Sequence, residues 1–117
     1  MRKKQDHKKY NATIKGRYRQ LRRSAKDRDL KLLISMEEYL YLMDEASCFY
    51  CEEPLDLSKG SGHCLDRINN SKSYYLNNVV VCCNKCNWIK SNRFNFEEAI
   101  FVIRALKAFR QKLIKRN

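Results

Sequence analysis

Two cysteine knuckles, CFYC at Cys48 and Cys51 and CNKC at Cys83 and Cys86, constrain this chain more than any other feature. Each CxxC turns two thiolates toward one point, and two such turns some thirty residues apart close a tetrahedral site that suits Zn²⁺. A closed Cys₄ site is structural, adding folding free energy that a small core does not supply. The chain has 117 residues, one Pro and three Gly, which fits one domain with modest arms. Its 44% hydrophobic and 32% charged content makes such a clamp useful. Disulfides or plain buried thiols are the competing readings of the cysteines. The opening MRKKQDHKKY has no apolar segment of the secretory type, so a reducing, cytoplasmic location is expected. No apolar run reaches the ~18 residues of a membrane span. Cys64 and Cys82 stand outside the pairs and are expected to be small hydrophobes in β-segments.

Charge is unevenly distributed. Between Met1 and Arg28 twelve Lys or Arg face only Asp6 and Asp27, and Arg104 to Arg116 carries six basic residues and no acid, whereas Asp29 to Ile103 is net −4. Basic arms around an acidic middle suit a polyanion partner, because each cation that neutralises a phosphate releases condensed counterions. Solvated helix faces are the plain alternative. A membrane-surface role is disfavoured, since Arg17, Tyr18, Arg19, Arg22 and Arg23 have no opposing face of large apolar residues.

Periodicity predicts a helix from about Gly16 to Arg28, with Lys15, Arg19, Arg22, Arg23 and Lys26 as a nucleic-acid-binding face. DLKLLI reads as a short strand. Ser35 and Glu38 make a capping box for a helix bearing Met36, Tyr39, Leu40 and Met43 on its core side. HCLDRI and NVVVC read as two β-segments joined by a long polar connection, followed by a helix from about Asn84. Asn95 and Glu98 cap the last helix, whose stripe Phe96, Ile100, Ile103, Leu106, Phe109 and Leu113 is expected to pack, with its far end available to a second subunit. The organisation is thus a basic tail over 1–15, helices and a short strand over 16–47, a knuckle-containing core over 48–94 and a C-terminal helix over 95–117, all in one domain.

Between the knuckles the stretch LDRINNSKSYYLNNVVVCCNKCNWIKSN, with CFYC before it, resembles the HNH endonuclease family, in particular its zinc-knuckle phage-type and restriction-type members. The resemblance implies an α+β fold with a zinc-stabilised ββα-metal (His-Me finger) core and flanking helices. It also implies hydrolysis of DNA phosphodiesters to 5′-phosphate and 3′-hydroxyl ends. Carried over by position, Asp66 and Asn87 would hold a catalytic Mg²⁺ or Mn²⁺, whose preference for oxygen ligands they match. Asn78 would tie down the connecting loop, with an ordinary turn Asn as its alternative. Lys90 would contact a phosphate.

The departure is Arg67, where most members carry the His that activates water. A guanidinium stays protonated at any working pH and cannot be the base. It can instead hold the scissile phosphate through two parallel hydrogen bonds, the alternative being an ion pair with Asp66 that alternating strand faces make awkward. The resemblance is closest to a minority branch with Asp-Arg and a loop Tyr, which makes Tyr74 the first candidate for the base. A phenol of pKa ~10 needs a nearby cation to ionise. His63 is second, and a metal hydroxide with no side-chain base third. Ser73 stands where the family has Gly, and Tyr75 is the neighbouring alternative aromatic. The expected partner is double-stranded DNA, with a homodimer possible. A catalytically silent zinc module that binds DNA or RNA is the competing function, and a disulfide-rich secreted protein the third.

Overall fold

The computed structural model describes residues 4–44, 47–55 and 63–116, with the backbone alone described at 4–13, 63 and 116. Its first helix, α1, spans Lys4–Asp27 and so takes in most of the segment expected to be a tail. No Pro or Gly interrupts residues 4–15, so each added residue gains a backbone hydrogen bond at little propensity cost. Ile14 and Ala25 are buried on its inner face. Asp29 ends the helix at φ 57°. The Leu30 N–H bonds to the Ala25 carbonyl at 2.7 Å and the Asp29 N–H to the Lys26 carbonyl at 3.1 Å, a Schellman ending with a short polar residue in the left-handed position.

DLKLLI does not form a strand. It makes one parallel bridge, Leu32 with Tyr74, closed by Leu33 N–H to Tyr74 O at 2.8 Å and Tyr74 N–H to Lys31 O at 3.0 Å. The partner segment turns away at once into a 3-10 turn at Leu76–Asn78, so no second pair can form. That single bridge nevertheless fixes the backbone of Tyr74. Helix α2, Met36–Met43, opens on the expected box, with Glu38 N–H to Ser35 Oγ at 3.1 Å and Ser35 N–H to Glu38 Oε1 at 2.9 Å.

Strands β1 (His63–Arg67) and β2 (Val79–Cys83) pair antiparallel, His63 opposite Cys83 and Arg67 opposite Val79. Helix α3, Asn84–Lys90, follows without a break, giving the ββα order. Alternation along β2 serves two cores. Val79 and Val81 join Ile14, Tyr18, Ile34, Tyr39, Met43 and Tyr74, while Cys82 joins Cys48, Tyr50, Cys51, Cys86, Ala99 and Ile103. Tyr18 is a core residue whose hydroxyl donates to Ile34 O at 2.6 Å. Helix α4, Phe96–Arg116, starts on the expected Asn95–Glu98 box. Its packing stops early: Ala99 and Ile103 are buried, whereas Phe109 and Leu113 stand exposed. No helix among the described residues is long and apolar enough to cross a membrane.

Candidate metal sites and cleft

The four knuckle cysteines converge. One sulfur from each of Cys48, Cys51, Cys83 and Cys86 lies within 4.8 Å of every other, and the six cysteines form no disulfide. Thiolates around a tetrahedral zinc at ~2.3 Å stand a little under 4 Å apart, so the cluster fits that ion. Cys83 caps the first turn of α3, its sulfur accepting from the Cys86 N–H at 3.4 Å. A hydrogen bond from the Cys86 thiol, reinforced by backbone N–H groups, holds Cys48 down at about 4 against the opposing effect of burial. Helix α4 braces the knuckle from outside, as Arg104 donates to the carbonyls of Tyr50 and Phe49 at 3.3 Å each and Lys107 to that of Cys51. These two cations of the basic C-terminal arm are thus engaged in the fold.

Beside the cluster opens a cleft of about 920 Å³, with α1, β1, the loop at Tyr74 and α3 as its walls. Asp66, Arg67, Tyr74 and Asn87 all line it. Helical spacing brings Asn84, Asn87 and Trp88 of α3, with its C-cap Ser91, to the cleft, together with Arg17, Gln20 and Ser24 of α1 and Arg28 just past its end. The cations that line the cleft from this side are thus Arg17, on α1, and Arg28, one residue past its end. Lys15, Arg19, Arg22, Arg23 and Lys26, expected as the binding face, are exposed elsewhere on the helix; Arg22 and Lys26 border a separate groove of about 300 Å³ with Tyr18 and Asp29. The cleft residues at 17, 21, 24 and 28 follow the same period, so the signal was in the sequence, but two faces of one basic helix cannot be told apart by charge alone.

Asp66 and Arg67 point to different neighbours, as adjacent strand residues must. Among the described residues the ion pairs are Lys90 with Asp66, at 3.1 Å, and Lys107 with Glu53. Asp66, 8% exposed, receives the Tyr50 hydroxyl on Oδ2 and Lys90 Nζ on Oδ1. Burial, then the bond to Asp66, pushes the Tyr50 phenol well above its usual range and keeps it a donor. Lys90 is not on the surface where a phosphate contact was expected. It is 0% exposed and also donates to Arg67 O at 2.8 Å and Asn70 Oδ1 at 3.4 Å. Four residues after Cys86 on a helix, it shares the face of a buried cysteine, a spacing that gives its direction away. Tyr50 carries a similar signal, being held between two cysteines of the cluster.

Arg67 Nη1 donates to Asn70 O at 2.6 Å and Lys72 O at 2.8 Å, and its guanidinium lies 5.4 Å from the Tyr74 ring centroid. A guanidinium has five donors, so the loop takes one nitrogen and Nε and Nη2 form the remaining fork. Tyr74 is buried, and its hydroxyl accepts from Arg28 Nη2 at 2.7 Å. Arg28, which sequence reasoning did not single out, thus reaches the candidate base. Asn78 is buried and ties the loop, donating to Asn69 O at 3.2 Å and Ser73 O at 2.9 Å while accepting from the Asn69 N–H at 2.9 Å. His63 opens β1, but its side chain lies outside the described residues. Cys64 borders the cleft and donates to Asn84 Oδ1 at 2.6 Å, whereas Cys82 is fully buried as expected.

An antiparallel strand pair running into a helix, clamped by four cysteines, defines an α+β fold of the zinc-stabilised HNH type. A solved structure with that architecture is the rare-cutting HNH restriction endonuclease PacI, similar at a TM-score of 0.66 and 19% identity over 78% of this chain and 74% of that one. The likeness carries the fold. A curated relative, uncharacterized protein R423 of Acanthamoeba polyphaga mimivirus, is 32% identical over 91 residues. The match takes in 78% of this chain but only 16% of that protein's length. No family model matches the chain.

Proposed function

We propose that this chain is a metal-dependent endonuclease of the HNH type that hydrolyses DNA phosphodiester bonds. The observation that carries the reading is the meeting of Asp66, Arg67, Tyr74 and Asn87 on one polar cleft beside a cysteine cluster that suits a structural zinc. One carboxylate and one carboxamide are hard oxygen donors that fit Mg²⁺ or Mn²⁺ completed by substrate and water. When bound, that ion supplies charge neutralisation at the phosphate and at the departing 3′-oxygen. Arg67 holds a non-bridging phosphate oxygen through Nε and Nη2 and neutralises developing charge. Tyr74, as phenolate, takes a proton from the attacking water. The new P–O bond forms as the P–O3′ bond breaks, and the 3′-oxygen leaves with a proton from solvent, giving 5′-phosphate and 3′-hydroxyl ends. Arg17 on α1 and Arg28 just past its end supply phosphate affinity.

One observation favours a second reading, a zinc-stabilised module that binds DNA or RNA without cutting it. Both oxygens of Asp66 accept buried hydrogen bonds, as a purely structural carboxylate would. Zinc-loaded protein incubated with supercoiled plasmid separates the two readings. The nuclease converts it to open-circular or linear DNA with Mg²⁺ or Mn²⁺ and not with EDTA pre-treatment of the buffer. Intact plasmid under both metals, with binding retained, favours the second reading and defeats the first.

A further inference from the structure

Tyr50 belongs to the zinc knuckle by sequence and to the cleft by hydrogen bonding. It lies between Cys48 and Cys51, and its hydroxyl reaches out of the knuckle to Asp66 Oδ2. The ring cannot swing. It is 0% exposed and meets Phe49 and Phe96 edge-on at centroid distances of 5.4 and 6.0 Å. The knuckle backbone is fixed as well, by Phe49 N–H to Val81 O at 2.9 Å and by Arg104 on the Tyr50 carbonyl. On the opposite oxygen of Asp66, Lys90 is held by the Arg67 carbonyl and Asn70.

We propose that Tyr50 is a positioning residue for Asp66, so that the cysteine site sets the orientation of the carboxylate in the cleft through one buried hydroxyl. A carboxylate offers about four lone-pair sites. Tyr50 and Lys90 take one on each oxygen, which fixes the plane of the group and leaves the remaining pair to the cleft that Asp66 lines. Partners of this kind govern how well a ligand meets its ion, and their loss typically costs 10–100-fold in metal affinity. The inference rests on the proposed role of Asp66 as a ligand of the catalytic cation.

The test is Mn²⁺ binding followed by electron paramagnetic resonance, without DNA, on zinc-loaded wild type, Asp66→Asn and Tyr50→Phe. Tyr50→Phe should retain wild-type zinc content and helical circular dichroism while its Mn²⁺ dissociation constant rises roughly 10–100-fold. Wild-type affinity in Tyr50→Phe, alongside lost affinity in Asp66→Asn, overturns the positioning role and leaves the ligand role standing. Equal binding by wild type and Asp66→Asn, or none by wild type, removes the ligand role and the inference with it. Should Tyr50→Phe fail to hold zinc, wild-type protein carrying cadmium in the cysteine site decides. Its cadmium affinity should rise once Mg²⁺ fills the cleft, because coupling between two binding sites is reciprocal; cadmium affinity unchanged by bound Mg²⁺ overturns the proposal.

Discussion

Arg28 Nη2 donates to the Tyr74 hydroxyl at 2.7 Å, joining the end of α1 to a loop 46 residues further along the chain. The Arg67 guanidinium stands over the same ring, 5.4 Å from its centroid. Two cations thus surround the phenol proposed to take the proton from water.

Tyr74→Phe should lower single-turnover cleavage by about 10²–10⁴-fold, the usual contribution of a positioned proton acceptor. Arg28→Gln should lower it too, by less, because it removes a partner of the hydroxyl and leaves the hydroxyl itself. Both variants should keep their zinc. Cleavage by Tyr74→Phe at the wild-type rate points to His63 or to activation by the ion without a side-chain base.

Asp66→Ala and Asp66→Asn should part company. The alanine leaves a fully buried Lys90 ammonium without its carboxylate, a loss of about 3–5 kcal/mol in other buried pairs. The asparagine keeps an acceptor for Lys90 and should fold while losing cleavage. Urea denaturation paired with a plasmid assay measures both. Full activity in Asp66→Asn would remove the carboxylate from the chemistry.

DNA affinity should respond to the cleft wall and not to Lys90. Arg17→Gln should weaken binding about equally for all sequences and reduce the slope of log K against log salt by about one. Lys90→Met should destabilise the fold by several kcal/mol on the order of a broken buried pair, with that slope unchanged. Fluorescence anisotropy at a series of salt concentrations reads both outcomes. A slope reduced by Lys90→Met instead would place its ammonium on a phosphate.

Zinc and folding should be lost together. Cys48→Ser removes one of four thiolates and should give a chain that is unfolded or rapidly proteolysed, and chelation should do the same to wild type. Acid should act in the same direction. The hydrogen bond from Cys86 lowers the Cys48 thiol from its ordinary value of 9.0, and ligation needs deprotonated thiols, so protonating the cluster as pH falls opposes both metal binding and folding. Zinc release to a chromogenic indicator and loss of circular dichroism should therefore coincide on acidification. Release without unfolding would make the cluster dispensable.

Much of the fold is written locally. The Ser35–Glu38 and Asn95–Glu98 boxes, the two knuckles and the alternation through VVVCC each depend on neighbours a few residues apart, so sequence alone located α2, α4, the β-pair and the cysteine site. The residues Asp66, Arg67, Tyr74, Asn78 and Asn87 were marked by the resemblance to the HNH family. Tertiary structure decided what spacing cannot carry. Whether DLKLLI becomes a strand depended on a partner segment that turns away after one bridge. Which face of α1 meets the cleft depended on how Ile14, Tyr18 and Ala25 seat the helix against the core. The partners of Asp66 come from residues 16 positions before it and 24 after it, and contacts of that separation exist only once strands and helices have packed.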